Sequence, residues 1–275
     1  MTVLVTGATG NAGGAVVRAL AAAGVPGKAL VRGKAELLAG IEPVYGDLGR
    51  PDTFVEALDG ISAIFLLSGY ERVEELLANA VKAGVERVVL LSSSSVDSEQ
   101  TSNAIAQYHL AAENAVDASG LDWTFLRPNS FMSNTLRWLD QLRLGNVVRV
   151  QFPDIPVATI HPDDVADVAL HAMTGNGHSR TVYRLTGPVA LKPSEQVEIL
   201  GQALGRPLRA HELSRAESHE QLFASMPAPY AEAIERFFGD GIIDETAVND
   251  TVETITGHPA RTLQDWTRTN TNLFS

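Results

Sequence analysis

The residues best placed to do chemistry stand in two groups, a tyrosine–histidine pair in mid-chain and a glycine series at the start. Tyr108 and His109 lie near the start of a helix-forming stretch, Ala104 to Ser119, close behind the four serines Ser92 to Ser95. Transfer of hydride to a carbonyl, quinone or imine leaves negative charge on a heteroatom, and a nearby proton donor stabilises it. An imidazole that titrates near neutrality suits that task at His109, and Glu113, one helical turn on, would tether or charge the ring. The alternative is that Tyr108 packs and His109 is merely a polar helix residue. In the second group, Gly7, Gly10 and Gly13 follow the apolar run Val3-Leu4-Val5 and lead into the helical stretch Ala15 to Ala23. Strand, glycine turn and helix N-terminus in that order form a phosphate cradle, with backbone N–H groups and the helix dipole facing an anion. In this context the triplet predicts dinucleotide binding. The alternative is a glycine-rich turn between two packed elements.

A cofactor in such a cradle meets further residues at later strand ends. Ala29-Leu30-Val31-Arg32 reads as the second strand, ending where an Asp or Glu would hold the ribose 2′-hydroxyl of NAD. The chain instead has Arg32, with Lys34 two residues on. Cations suit the 2′-phosphate of NADP, so NADP(H) is expected over NAD(H). Two solvated surface cations are the other reading. Asp47 and Leu48, leaving the third strand, would give an adenine a polar contact and an apolar wall. Ser68-Gly69, leaving the fourth strand, is a small-residue exit that lets a cofactor approach the backbone. Phe131, Met132 and Trp138 either line a substrate pocket or belong to the core of the helix they share. Asp163 and Asp164 look like a catalytic pair, but after Pro162 and before an apolar helix they are expected to cap it. His161, His171, His178, His211, His219 and His258 show no ligand spacing, so no metal site is expected. No GxSxG elbow occurs, which argues against a serine hydrolase.

The elements that must position these groups are legible as a rhythm. Five strands alternating with helices, ending at Arg87 to Leu91, predict an α/β fold with a doubly wound parallel Rossmann sheet. Gly7, Arg32, Asp47, Ser68 and Ser92 fall at the carboxyl ends of its strands, where ligands of such sheets bind. Helices are expected from Asp52 to Leu58 after Pro51, and from Glu71 to Ala83. Trp123 to Arg127 reads as a sixth strand, and a helix then runs to about Leu144. Beyond it come a short strand Val147 to Val150, a helix from Pro162 through Met173, a strand Thr181 to Leu185 and a helix from Pro193 to near Gly205. Residues from about 211 onward read as mostly helical. The expected division is a Rossmann domain over 1–150 and a smaller, mostly helical substrate lobe over 151–275, parts of which return to the sheet.

Composition narrows the function classes. The 275 residues are 45% hydrophobic and 20% charged, ordinary for a globular protein. No apolar run approaches the roughly 20 residues of a membrane span, and the first residues lack the basic region of a signal peptide. Zero cysteines exclude a disulfide framework and thiol catalysis. A net charge of −12 argues against nucleic acid. The expectation is a cytoplasmic protein acting on a small-molecule substrate, with no membrane or nucleic-acid partner and with a homodimer left open.

The motifs resemble those of one family, the NmrA-like group of atypical short-chain dehydrogenases/reductases. The likeness is carried by Val5-Thr-Gly-Ala-Thr-Gly-Asn-Ala-Gly-Gly14, Leu30-Val-Arg32, Tyr45-Gly-Asp-Leu48 and the run from Ser119 to Phe131. His161-Pro-Asp-Asp-Val-Ala-Asp-Val-Ala169, Leu185-Thr-Gly-Pro188 and Gly257-His-Pro-Ala-Arg-Thr-Leu263 extend it over nearly the whole chain. The last segments look especially like the NAD(P)H-dependent quinone oxidoreductase branch. The resemblance implies cofactor contacts at Gly7, Thr9, Gly10, Asn11, Ala12, Arg32, Asp47, Leu48, Leu67, Ser68 and Gly69. It places Ser92, Ser93, Pro128, Asn129 and Phe131 toward the nicotinamide or the substrate. Typical short-chain dehydrogenases use Tyr-x-x-x-Lys, whereas four residues after Tyr108 stands Ala112. Counting back from Gly120, His109 takes the place where the related benzylic ether and isoflavone reductases keep a lysine. The quinone reductase branch resembles this sequence in having histidine there. The implied activity is NADPH-dependent hydride transfer to a quinone-like or conjugated carbonyl or imine substrate. The lost Tyr-x-x-x-Lys pair also fits an NADP(H)-binding redox sensor with little turnover, of which the group has examples.

Overall fold

The computed structural model describes residues 1–97 and 102–274. Among the described residues nine strands form, β1 (Val3–Val5), β2 (Gly27–Val31), β3 (Ile41–Tyr45), β4 (Ala63–Leu67), β5 (Arg87–Leu91), β6 (Asp122–Pro128), β7 (Val147–Val150), β8 (Thr181–Leu185) and β9 (Arg209–Glu212). Seven of them make one parallel sheet in the order β3-β2-β1-β4-β5-β6-β8. The order reverses beside β1, which pairs with β2 on one side and with β4 on the other. A crevice opens at such a switch point, beyond the carboxyl ends of the strands.

The helices are α1 (Asn11–Ala22), α2 (Val73–Lys82), α3 (Ala104–Ala118), α4 (Leu139–Leu144), α5 (Pro162–Thr174), α6 (Pro193–Leu204), α7 (Arg215–Ser225), α8 (Ala228–Ile234), α9 (Thr251–Thr256) and α10 (Leu263–Thr269). Both faces of the sheet are covered, which is why β1, β4 and β5 at its centre read as continuous apolar runs. Alternate residues serve opposite cores. Val3, Val5, Phe65 and Val89 pack with Leu20 of α1 and Val165 and Ala169 of α5. Leu4, Ile64, Leu66, Val88 and Leu90 pack with Leu76 and Leu77 of α2 and Ala112 and Val116 of α3. A third core, around Trp138, Val148, Leu200, Leu263 and Trp266, joins α4, β7, α6 and α10.

Chain beyond residue 150 therefore contributes to both regions. α5 packs along α1, and β8 pairs in parallel with β6 as an edge strand of the sheet. β7 and β9 form a separate two-stranded parallel sheet.

Local structure departs from expectation at three places. Residues 51–58 form two 3₁₀ turns, Pro51–Phe54 and Glu56–Leu58, in place of a helix. Their bonds run from Thr53 N to Arg50 O and from Leu58 N to Val55 O, the i→i+3 pattern that a short connection to β4 imposes. The helix expected up to Leu144 begins as a 3₁₀ segment, Met132–Trp138. There Thr135 Oγ1 donates to the Met132 carbonyl at 2.8 Å, bonding back to the preceding turn. β9 overlaps only the first residues of the stretch, from about 211, that is expected to be mostly helical. Among the described residues, no helix is long and apolar enough to cross a membrane.

Candidate active site

The cradle is built at the switch point. Gly7 leaves β1 at φ +61°, and a Cβ there would collide with the Leu67 side chain at the end of β4. Gly10 N donates to Gly7 O at 2.8 Å and then caps α1 without any side-chain bond. A Cβ on Gly13 would overlap the Gly7 carbonyl and come within 2.7 Å of Thr6 O. The glycines thus bring strand and helix together, and the first-turn N–H groups of α1 remain available to an anion. Thr9, Gly10 and Asn11 are exposed on this rim, and Ala12 is buried beneath it. The Asn11 side chain turns away and donates to Ser133 Oγ at 2.6 Å, beside a small cleft shared with Arg18 and Asp163. Only its backbone N–H belongs to the cradle.

Beyond the end of β2, Arg32 and Lys34 are exposed, and neither has a carboxylate partner among the described residues. Tyr70, which carries no motif of its own in the sequence, lies between this corner and the helix α3. Burial raises its pKa, with Tyr108 and Asp47 adding to the rise and Arg32 opposing it. Asp47 Oδ1 accepts from Gly49 N at 2.9 Å, and Leu48 packs into the core at 6% exposure. Leu48 therefore has little surface left for an adenine wall.

A cavity of about 620 Å³ opens from the ends of β4, β5 and β6 toward the C-terminal lobe. It gathers Leu67, Ser68, Ser92, Ser93, Tyr108, His109, Pro128, Asn129 and Phe131 on one side. Gly69 lies just outside it at φ +100°, where a Cβ would collide with the Tyr108 ring and hydroxyl. Of the undecided apolar trio, Phe131 lines the cavity, Met132 is core, and Trp138 is both. The lobe supplies the opposite wall, including Phe152, Leu222, Met226, Phe237 and Phe238. Four buried side-chain polar atoms among the described residues lack a hydrogen-bond partner. Three of them, Ser95 Oγ, His109 Nδ1 and Gln221 Oε1, belong to residues lining this cavity.

Several expected roles change once partners are seen. Burial lowers the pKa of His109 to about 4, so its imidazole is neutral at pH 7 and does not titrate near neutrality. Glu113 does not tether it. That carboxylate takes a bidentate bond from Arg127, at 2.9 and 2.6 Å, and a bond from Ser92 Oγ at 2.5 Å. The Tyr108 hydroxyl donates to Ser68 O at 2.9 Å, and burial, then Tyr230, hold its pKa above the usual value. That proton is committed to a carbonyl. Ser68 Oγ likewise donates to Leu91 O, and Ser93 Oγ accepts from Ser95 N. The Asn129 amide is fully engaged: Arg184 donates twice to its Oδ1, and its Nδ2 donates to Ala158 O and Glu245 O. It braces the cavity wall.

The acidic pair at 163–164 does not supply the helix cap. His161 Nδ1 accepts from Asp163 N at 3.0 Å and caps α5, Asp163 pairs with Arg18, and buried Asp164 pairs with Arg261. Asp164, Asp167 and His258 lie close enough to hold a metal ion, but the Arg261 guanidinium already contacts both carboxylates. Arg137, Gln141, Arg149 and Gln151, none of them expected at the site, are all on the cavity wall. Asn134, Arg137 and Gln141 recur at helical spacing, a polar stripe that a core has no use for, and this was the available signal.

A glycine cradle at a Rossmann switch point, next to Leu67 on the wall of an apolar cavity, defines a nucleotide-dependent enzyme acting on a small molecule. A family model described as NAD(P)H-binding matches residues 7–176. The chain belongs to that family, among the NmrA-like, atypical short-chain dehydrogenases/reductases, and is an NAD(P)H-dependent oxidoreductase. It is 39% identical to a (4-alkanoyl-5-oxo-2,5-dihydrofuran-3-yl)methyl phosphate reductase of Streptomyces griseus, over 99% of both chains. It is 33% identical to an NAD(P)H azoreductase of Xenophilus azovorans, again over 99% of both. The NADPH-dependent quinone oxidoreductase of Escherichia coli, solved with NADPH, superposes with a TM-score of 0.79 at 25% identity and covers 100% of both chains.

Proposed function

We propose that this protein is a cytoplasmic NADPH-dependent reductase of a small molecule with an electron-poor double bond, a quinone-like ring or a carbonyl-conjugated C=C or C=N. The observation that carries the reading is the apolar cavity at the ends of β4, β5 and β6, with Leu67 and Ser68 beside the glycine turn and His109 among its lining residues. The α1 cradle from Gly7 to Ala12 would hold the pyrophosphate. Arg32 and Lys34 would face the 2′-phosphate, with Asp47 and Tyr70 beside the adenosine. Leu67, Ser68, Gly69, Ser92 and Ser93 would border the nicotinamide end. A bound reduced nicotinamide supplies hydride. The neutral His109 ring serves as a hydrogen-bond donor to the substrate heteroatom where charge accumulates, with Pro128 and Phe131 beside it. A conjugated acceptor spreads that charge over its own atoms, so a neutral donor suffices and no imidazolium is required. The Streptomyces griseus relative supports this class: its name describes a ring C=C that carries both an alkanoyl group and the ring carbonyl.

The test is fluorescence titration with NADPH and NADH, followed by NADPH oxidation against quinones, enones and imines. NADPH should bind more tightly than NADH, and Arg32→Glu should abolish that difference, at least about tenfold for a charge-assisted phosphate contact. Turnover should accompany binding. Tight NADPH binding without oxidation of any acceptor would favour the redox-sensor reading, and binding of neither nucleotide would overturn both.

A further inference from the structure

Arg137 is a cavity-wall arginine in an acidic chain. Acidic residues outnumber basic ones 33 to 21, and the other arginines near the site are paired: Arg127 with Glu113 and Asp97, Arg184 with Asp97. Arg137 has no such partner among the described residues. It lies over the Trp138 ring, its Cζ 5.4 Å from the centroid. It is solvent-exposed and lines the cavity. A guanidinium on a cavity wall with no carboxylate beside it has its donors free for an anionic ligand.

Its neighbours extend the same chemistry. Arg137 lies at the end of the 3₁₀ segment that runs into α4, and Gln141, one turn on, accepts from Arg149 N at 2.7 Å. That bond sets β7 beside the Arg137 turn. Arg149 also lines the cavity, and its guanidinium reaches Glu217 only loosely, at 3.9 Å. Arg137, Arg149 and Glu245 are the lining residues with formal charge once His109 is neutral. Glu245 is already engaged by Ser94 Oγ at 2.6 Å and Ser130 N at 3.0 Å. The wall thus carries two cations and one carboxylate whose oxygens are already bonded, in a cavity otherwise largely apolar, with Phe152, Leu222, Met226, Ile234, Phe237 and Phe238 on its lobe side.

We infer that Arg137, with Arg149, forms an anion-binding subsite in the substrate cavity that holds the phosphate monoester of an otherwise apolar substrate. Two guanidinium forks suit a dianion with three terminal oxygens better than they suit a single carboxylate. The subsite rests on the reading of this cavity as the acceptor pocket, and it narrows that reading from conjugated acceptors in general to phosphorylated ones.

The experiment is calorimetric titration of the NADP⁺-saturated protein with benzyl phosphate, phenylacetate and benzyl alcohol. Saturation with nucleotide fills the cofactor's own phosphate contacts. Benzyl phosphate should bind at least about tenfold more tightly than either of the others, the scale of one charge-assisted bond. Arg137→Gln should remove that preference, and Arg137→Lys should retain part of it, with NADPH titration showing that both variants are folded. Equal affinity for the three probes in the wild type would overturn the subsite, as would an undiminished phosphate preference in Arg137→Gln. Phenylacetate binding as tightly as benzyl phosphate would overturn the assignment to phosphate. Wild-type oxidation of NADPH by quinones alongside probe-blind binding would defeat this subsite alone. Failure of every acceptor would defeat the reductase reading, while the titration would still decide the subsite.

Discussion

His109 shows how far an environment can move a residue from what its type suggests. A free imidazole titrates near neutrality, the property that makes a histidine at this position look like a proton donor. In the folded chain its Nδ1 is buried without a partner, and desolvation lowers the pKa to about 4. The unfolded chain takes up a proton below about pH 6.5, whereas the folded chain resists it until about pH 4. Stability contributed by the neutral ring is therefore present above that window, falls as pH drops through it, and levels off below pH 4. The full effect is at most about 3 kcal/mol, since each tenfold change in proton affinity corresponds to about 1.36 kcal/mol. Urea unfolding at pH 7.5 and pH 5 should show a larger stability loss in the wild type than in His109→Gln. An identical loss in both would mean that the ring is solvated. The same neutrality predicts that the pH–rate profile has no limb near 6.5 attributable to His109.

At the scale of elements, the glycine turn was legible because strand, turn and helix each leave their own mark within fourteen residues. What the spacing did not reveal is that Gly13 and its neighbour Gly14 differ in kind. A Cβ on Gly13 would meet backbone oxygens of Thr6 and Gly7, which cannot swing aside, whereas on Gly14 its nearest contact is Ala8 O at an ordinary 3.4 Å. Gly13→Ala should therefore force α1 away from β1 and weaken NADPH binding at least about tenfold, with a stability loss of roughly 1–3 kcal/mol from overpacking. Gly14→Ala should keep NADPH binding and gain up to about 1 kcal/mol from helix propensity. Parallel NADPH titrations and thermal melts of the two variants check the contrast. Elements that left weaker marks were misread for physical reasons. The 3₁₀ segment at Met132–Trp138 keeps a helix-like spacing, and a side chain of its own, Thr135, bonds back into its backbone. β9, Arg-Ala-His-Glu, has no apolar face because it pairs with β7 alone, outside the main sheet.

Across the whole molecule, the sheet was readable and the cavity was not, since the cavity's walls are brought together from segments far apart in sequence. Asn129 and Glu245, 116 positions apart, meet through a side-chain bond. No local pattern announces such a pairing. The same holds for the contact that ties the C-terminal segment to the Rossmann face. Asp164, at 0% exposure on α5, takes bonds from the guanidinium and the backbone N–H of Arg261, and burial still raises its pKa above the usual carboxylate value. Arg261 also bonds Asp167, and the chain then enters α10, which packs in the lobe core with Trp138 and Leu200. Arg261→Ala leaves a buried carboxylate without its cation, a loss of about 3–5 kcal/mol for a fully buried pair. The arginine side chain is 34% exposed, so water recovers part of this and roughly 2–4 kcal/mol is expected. Asp164→Asn in the same chain removes the stranded charge and should restore part of the stability, so the double variant should melt above Arg261→Ala alone. A melt of Arg261→Ala that matches the wild type would show that the lobe is held to the sheet by apolar packing and needs no ionic clamp.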